Sequence, residues 1–248
     1  MSLNLFDIVI CVGPNDSKIA KMNVEYSKKN ILNYRNIYLI CSDPSVDVDG
    51  AIIIDEKKFE FNINTVEKYI GKRKRCGWYL QQLLKLYAGN TIDGILDNYL
   101  VIDCDTLFLK PLNFITDDNK YILTTGTEYH IPYFIHMNKL HPELKKIHPL
   151  SGISHHTMFN KQIVNELINF VEKFHNNEDT FYNLYLKLIT SDNFDTSGAA
   201  ENELYFTYLI KYHHDKIVLR NLNWINTGNL NNILNNYDFI SYHWYLRQ

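Results

Sequence analysis

Apolar residues in this chain gather into short unbroken runs, separated by stretches with helical spacing. Leu5-Phe6-Asp7-Ile8-Val9-Ile10-Cys11-Val12 is the first such run, and it stops at the turn formers Gly13-Pro14-Asn15-Asp16. A polar helix is predicted over residues 17–30, then strands at 36–41 and 51–55. Strand, helix, strand with continuous apolar strands is the pattern of a parallel sheet covered on both faces. Residues 77–88 place Leu80, Leu83, Leu84 and Tyr87 at helical spacing, and Gly89-Asn90 suits a helix stop. The next apolar run, 98–102, leads straight into Asp103-Cys104-Asp105, and further strands are predicted at 107–109 and 121–124.

The second half mixes shorter elements. The pattern predicts a short helix at 141–147, a strand at 151–159, and helices at 161–174, 180–188 and 199–212. A polar loop covers 191–198, and a last strand is predicted at 237–244. No repeat, linker or low-complexity block interrupts the chain, so residues 1–248 are expected to form a single α/β domain with one shared core.

Composition narrows the classes of function. With 46% hydrophobic and 21% charged residues the chain is globular, which argues against disorder and coiled coil. A net charge of −3 leaves no field for non-specific nucleic-acid binding, although Lys72-Arg73-Lys74-Arg75 concentrates positive charge at one place. Cys11, Cys41, Cys76 and Cys104 are scattered without a CxxC pair, so reduced thiols fit better than a zinc site or a disulfide framework. The first residues lack the basic region of a signal peptide, and no stretch approaches 18 apolar residues. A cytoplasmic protein without a transmembrane segment is expected.

Asp103-Cys104-Asp105 is the sharpest chemical feature. Two carboxylates spaced i, i+2 at the end of an apolar strand call for a cation or an arginine nearby, since a lone buried carboxylate costs several kcal/mol. Hard oxygen donors of this kind suit Mg²⁺ or Mn²⁺; the competing role is to cap a turn at the sheet edge. In open α/β sheets, ligands sit at the carboxyl ends of the strands, which is where this pair lies. The aspartyl-phosphatase pattern fits less well, because Leu107 stands at its fifth position and the motif lies in mid-chain.

Val101-Ile102-Asp103-Cys104-Asp105-Thr106-Leu107-Phe108-Leu109-Lys110-Pro111-Leu112 resembles the metal-binding segment of GT-A-fold glycosyltransferases, which use sugar nucleotides. Gly77-Trp78-Tyr79-Leu80-Gln81-Gln82-Leu83-Leu84-Lys85-Leu86, Val12-Gly13-Pro14-Asn15-Asp16, residues 152–159 and Glu201-Asn202-Glu203-Leu204-Tyr205 extend the match in family order. Together they are similar to a group of such enzymes found in bacterial surface-polysaccharide clusters and in large DNA viruses. The resemblance implies a Rossmann-like GT-A domain with a mixed, mostly parallel sheet flanked by helices. Residues 1–125 would bind the nucleotide sugar and residues 126–248 the acceptor.

It also implies site residues. Asp103 and Asp105 would hold Mn²⁺ or Mg²⁺ on the donor's diphosphate, with His243 near the C-terminus as a third ligand. Val12, Arg75, Trp78 and Gln82 join the two acids as donor-binding residues, although a helical Trp is more often core. Glu201 is the expected general base toward an acceptor hydroxyl, and His155 the expected sugar contact. The implied reaction moves a sugar from a nucleoside diphosphate, with UDP the expected nucleotide, to a hydroxyl of a glycan or glycoprotein. Two alternatives remain at this stage. One is a catalytically silent nucleotide-sugar binder; the other is a sugar nucleotidyltransferase, disfavoured because Gly13-Pro14-Asn15-Asp16-Ser17 has one glycine and no arginine.

Overall fold

The computed structural model of the protein describes residues 4–14, 16–230, 236–243 and 246. In chain order its elements are β1 (Phe6–Val12), α1 (Ser17–Asn30), β2 (Tyr34–Cys41), β3 (Ile52–Asp55), α2 (Ile63–Ile70) and α3 (Cys76–Thr91). Then follow β4 (Asn98–Asp103), β5 (Thr106–Phe108), β6 (Tyr121–Thr124), α4 (Ile131–Leu140), β7 (His156–Asn160), α5 (Lys161–Phe174) and α6 (Phe181–Lys187). The last are α7 (Glu201–Tyr212), β8 (Ile217–Arg220), β9 (Trp224–Thr227) and β10 (Phe239–Tyr242).

The central sheet has the order β3-β2-β1-β4-β7. Its first four strands are parallel and β7 runs antiparallel to β4. All seven residues of β1 are buried, as expected of a strand in mid-sheet with helices over its faces. Helices α1 and α3 pack on β1, and α5 packs on β7. Asp7 is the one acid in this core strand. It is fully buried and satisfied by Arg35 (3.0 and 2.5 Å) and by the backbone N–H groups of Asn36 and Leu96, which ties β1 to β2 and to the approach of β4.

Two smaller sheets, β5-β10-β9 and β6-β8, complete the fold. Strand β4 ends at Asp103 and β5 begins at Thr106, so the Asp-Cys-Asp triplet turns the chain out of the large sheet into a small one. The buried apolar side chains form one cluster that reaches from Phe6 to Phe239. Among the described residues no helix is long and apolar enough to cross a membrane.

Several elements differ from the sequence reading. No helix forms at 141–147: α4 ends at Leu140, where His141 precedes Pro142 and is steered away from helical angles. The helix lies one step earlier, with Pro132 in its first turn, a start signal the reading passed over. Helix α2, with an Asn62–Thr65 capping box, and strands β8 and β9 were not anticipated. The strand expected at 151–159 shrinks to 156–160, and α7 starts at Glu201 instead of residue 199. Asn15 and Trp244, both inside expected features, lie outside the described residues.

Candidate metal centre

Strands β1 and β4 are neighbours, with Cys11 opposite Asp103, yet the chain leaves β1 toward β2 and β3 before returning to β4. A sheet whose strand order reverses at such a point opens a crevice at its carboxyl end. The Asp103-Cys104-Asp105 turn lies there and is pinned from three sides. The buried Asn23 of α1 donates its amide to the carbonyl oxygens of Asp103, Cys104 and Thr106 at 3.1, 3.0 and 2.8 Å. The Asp103 N–H donates to the His155 carbonyl at 2.9 Å, and the Tyr242 N–H to the Asp105 carbonyl at 2.7 Å. With its backbone fixed, the turn presents both carboxylates to one place.

Asp103, Asp105 and His155 each offer a ligand atom there, all within 4.8 Å of one another. A small divalent ion, with ligands at about 2.1 Å, spans about 4.2 Å between opposite donors, so a side-chain adjustment of about half an ångström would let the three share one. Two carboxylates and an imidazole form a donor set that could hold a divalent metal ion. His155 reaches this position from a left-handed backbone (φ 62°) just before β7, which breaks the strand alternation that the sequence suggested. Its Nδ1 lies 3.3 Å from Asp103 Oδ2, and its ring packs against Trp224. His156, next along, points instead into the aromatic core of Phe108, Phe114 and Phe239. His243 lies beside the cluster, ring to ring with His155 at 5.9 Å.

Beneath the cluster is a buried ion bridge. Lys85, in the middle of α3 and 3% exposed, donates to Asp103 Oδ1 at 2.6 Å and to Glu201 Oε1 at 2.7 Å. Burial alone would raise the Asp103 carboxyl, but the Lys85 charge and the His155 hydrogen bond reverse this and hold it well below the usual carboxylate range. The same geometry keeps Lys85 charged: burial favours the neutral amine, and the two carboxylates outweigh it. Burial would likewise lower His155, and its Asp103 partner raises it. Lys85 stands in the resembling segment but was given no role there, and Asn23 was not singled out. A lone lysine among Leu83, Leu84, Leu86 and Tyr87 was the signal for the first; Asn23 sits in a polar helix and carried none.

Other expected site residues take different positions. Glu201, anticipated as a base facing an acceptor, is 4% exposed and engaged with Lys85, so it serves the ion bridge. Gln82 is also buried: it donates to the Ala199 carbonyl and accepts from the Tyr185 hydroxyl. Arg75 turns toward the loop before α7, bonding the Thr196 carbonyl (3.0 Å) and Ser197 Oγ (2.7 Å), with its guanidinium over the half-buried Trp78 ring. Arg73 reaches the same loop through Asp195. The two arginines of the basic run therefore clasp a loop. Val12 ends β1 and, with Gly13, Pro14, Ser17, Ser42 and Asp43, lines an open pocket at the carboxyl ends of β1 and β2. The four cysteines are free and buried, as their scatter suggested.

No curated protein matches the chain. A family model described as a family of unknown function (DUF6492) matches residues 26–187, more than half of the 248. The matched span contains Lys85, Asp103, Asp105 and His155 and stops short of Glu201 and His243. This chain, with its acid pair and buried lysine inside the matched span, belongs to the DUF6492 family.

Proposed function

We propose that the protein is a metal-dependent glycosyltransferase of the GT-A type, moving a sugar from a nucleoside diphosphate to an acceptor hydroxyl. The observation that carries this reading is the convergence of Asp103, Asp105 and His155 at the point where the strand order reverses. Asp105 and His155, with the Asp103 oxygen not held by Lys85, would bind Mn²⁺ or Mg²⁺. Bound there, the ion supplies charge neutralisation to a departing diphosphate. An imidazole among the ligands favours Mn²⁺. The pocket beside Val12 has the place and the mixed lining suited to a nucleotide base, with UDP the expected nucleotide. A glycan or glycoprotein hydroxyl is the acceptor in this reading.

The test is release of nucleoside diphosphate from a panel of UDP- and GDP-sugars, with Mn²⁺ and with EDTA. Slow hydrolysis of one donor, lost in EDTA, is the expected result. Intact donors together with no metal-dependent shift in melting temperature on adding UDP or GDP would overturn the reading.

The third ligand can be tested separately by titrating Mn²⁺ and following the free ion by electron paramagnetic resonance. His155→Ala should weaken binding at least as much as loss of an outer-sphere partner does, about 10-fold or more. His243→Ala should weaken it less. The opposite ranking would move the third ligand to His243.

A further inference from the structure

We propose that the outer side of α4 and the segment after it dock the protein on a membrane containing anionic lipid. Helix α4 buries Tyr133, His136, Met137 and Leu140 on its inner side. Its other side is also apolar: Ile131 is 59% and Ile135 46% exposed, with the half-buried Phe134 between them. The exposed apolar positions lie in the first turns of α4, with the exposed Asn138 and Lys139 in its last turn, an amphipathic pattern that suits a membrane surface. Tyr129, 68% exposed, packs edge-on against Phe134 at 4.8 Å. Lys146 lies over the same Phe134 ring and bonds the Leu150 carbonyl, and the Gly126–Ser151 bridge draws the two ends of the segment together. The apolar residues are thus contiguous, and contiguous exposed apolar surface marks an interaction face.

Charge selects the occupant. The chain as a whole carries −3, but residues 129–150 hold Lys139, Lys145 and Lys146 against the single acid Glu143. Lys146 is answered by Glu203 and Glu143 by Lys211. Lys139 bonds only neutral oxygens, of Leu188 and Thr190, and neither it nor Lys145 has an acidic partner among the described residues. Glu128, just before the segment, reduces this positive excess without reversing it. A second copy docked symmetrically would set these lysines against their own counterparts, which is unfavourable. An anionic bilayer accepts both the lysines and the isoleucines, as it does for basic amphipathic helices. Attachment would be peripheral, since α4 has only ten residues.

The face connects to the metal centre. His130, beside Tyr129, bonds the Ser197 carbonyl at 2.8 Å, in the loop that Arg75 clasps and that leads into Glu201. If the transferase reading holds, docking sets the mouth of the site near lipid and favours an acceptor carried in the membrane; the docking itself does not depend on that reading.

The experiment is flotation of the full chain with vesicles of phosphatidylcholine alone and of phosphatidylcholine mixed equally with phosphatidylglycerol. Binding to the mixed vesicles only, weakening as salt rises, is expected. Ile131→Asp with Ile135→Asp should abolish it, and Lys139→Glu with Lys145→Glu should weaken it about 30-fold or more. All four residues are surface positions, so circular dichroism should show an unchanged fold. Absence of binding to either vesicle, or binding untouched by the isoleucine pair, would overturn the proposal. So would a concentration-dependent dimer lost in the same variant, which would assign the face to a second copy. Nucleotide release measured in solution, without vesicles, should be the same in the Ile131/Ile135 variant and the natural protein. That assay reports on the transferase reading alone.

Discussion

Replacing Lys85 with methionine is expected to lower the stability of the protein by about 3–5 kcal/mol, because a buried ion bridge loses its only cation while its carboxylates stay behind. For a chain of this size the melting temperature should fall on the order of 10 °C. Methionine fills nearly the same volume in α3, so the loss reports charge and not a cavity. Glu201 carries most of the effect. At 4% exposure it cannot recruit water as a substitute, whereas a quarter of the Asp103 side chain reaches solvent. Adding Glu201→Gln to Lys85→Met should therefore recover about 1–3 kcal/mol, a coupling that a double-mutant cycle in urea would measure. Additive losses would mean that the two residues do not hold each other in solution. A single variant as stable as the natural protein would remove the ion bridge from the account of the site.

The sequence disclosed the sheet better than it disclosed the ion bridge, for a physical reason. Strands β1, β2 and β4 are continuous apolar runs that end in turn formers, because a parallel strand buried on both faces has no polar side to show. The acid pair stood out because carboxylates at the end of such a run demand a partner. The partner itself, Lys85, lies 18 residues earlier in the chain, and only the packing of α3 against β1, the neighbour of β4, brings it within 2.6 Å. His155 illustrates a different limit. Reading residues 152–159 as a strand makes neighbouring histidines alternate, but the left-handed turn at His155 re-aims its ring, and no local pattern announces that turn. Gln82 was expected at the ligand because amides suit sugar hydroxyls; its bond from the Tyr185 hydroxyl, 103 residues away, is one that no local pattern announces. Beyond residue 212 the chain has short strands with exposed members, Val218, Leu219 and Ile225, whose weak alternation hides β8 and β9.

Asp105→Asn should separate chemistry from folding. Its backbone carbonyl still accepts from Tyr242, and an asparagine oxygen can still accept from Ser241 Oγ, which lies 3.3 Å from the present carboxylate. Stability should therefore stay within about 0.5 kcal/mol of the natural protein. On the proposed reading, the negative charge that would hold the ion is lost, and with it the electrostatic assistance to a leaving diphosphate. A fall of about 10²–10³-fold in metal-dependent nucleotide release is expected, the size seen when one preorganised stabilising contact is removed. Asp103→Asn makes the useful contrast. It too weakens the ion site, but it also strips Lys85 of one of its two partners, so its melting temperature should drop alongside activity. If Asp105→Asn kept its Mn²⁺ affinity and its turnover, both acids would be turn-capping groups that Lys85 and Asn23 hold in place. The glycosyltransferase reading would then lose the observation it stands on.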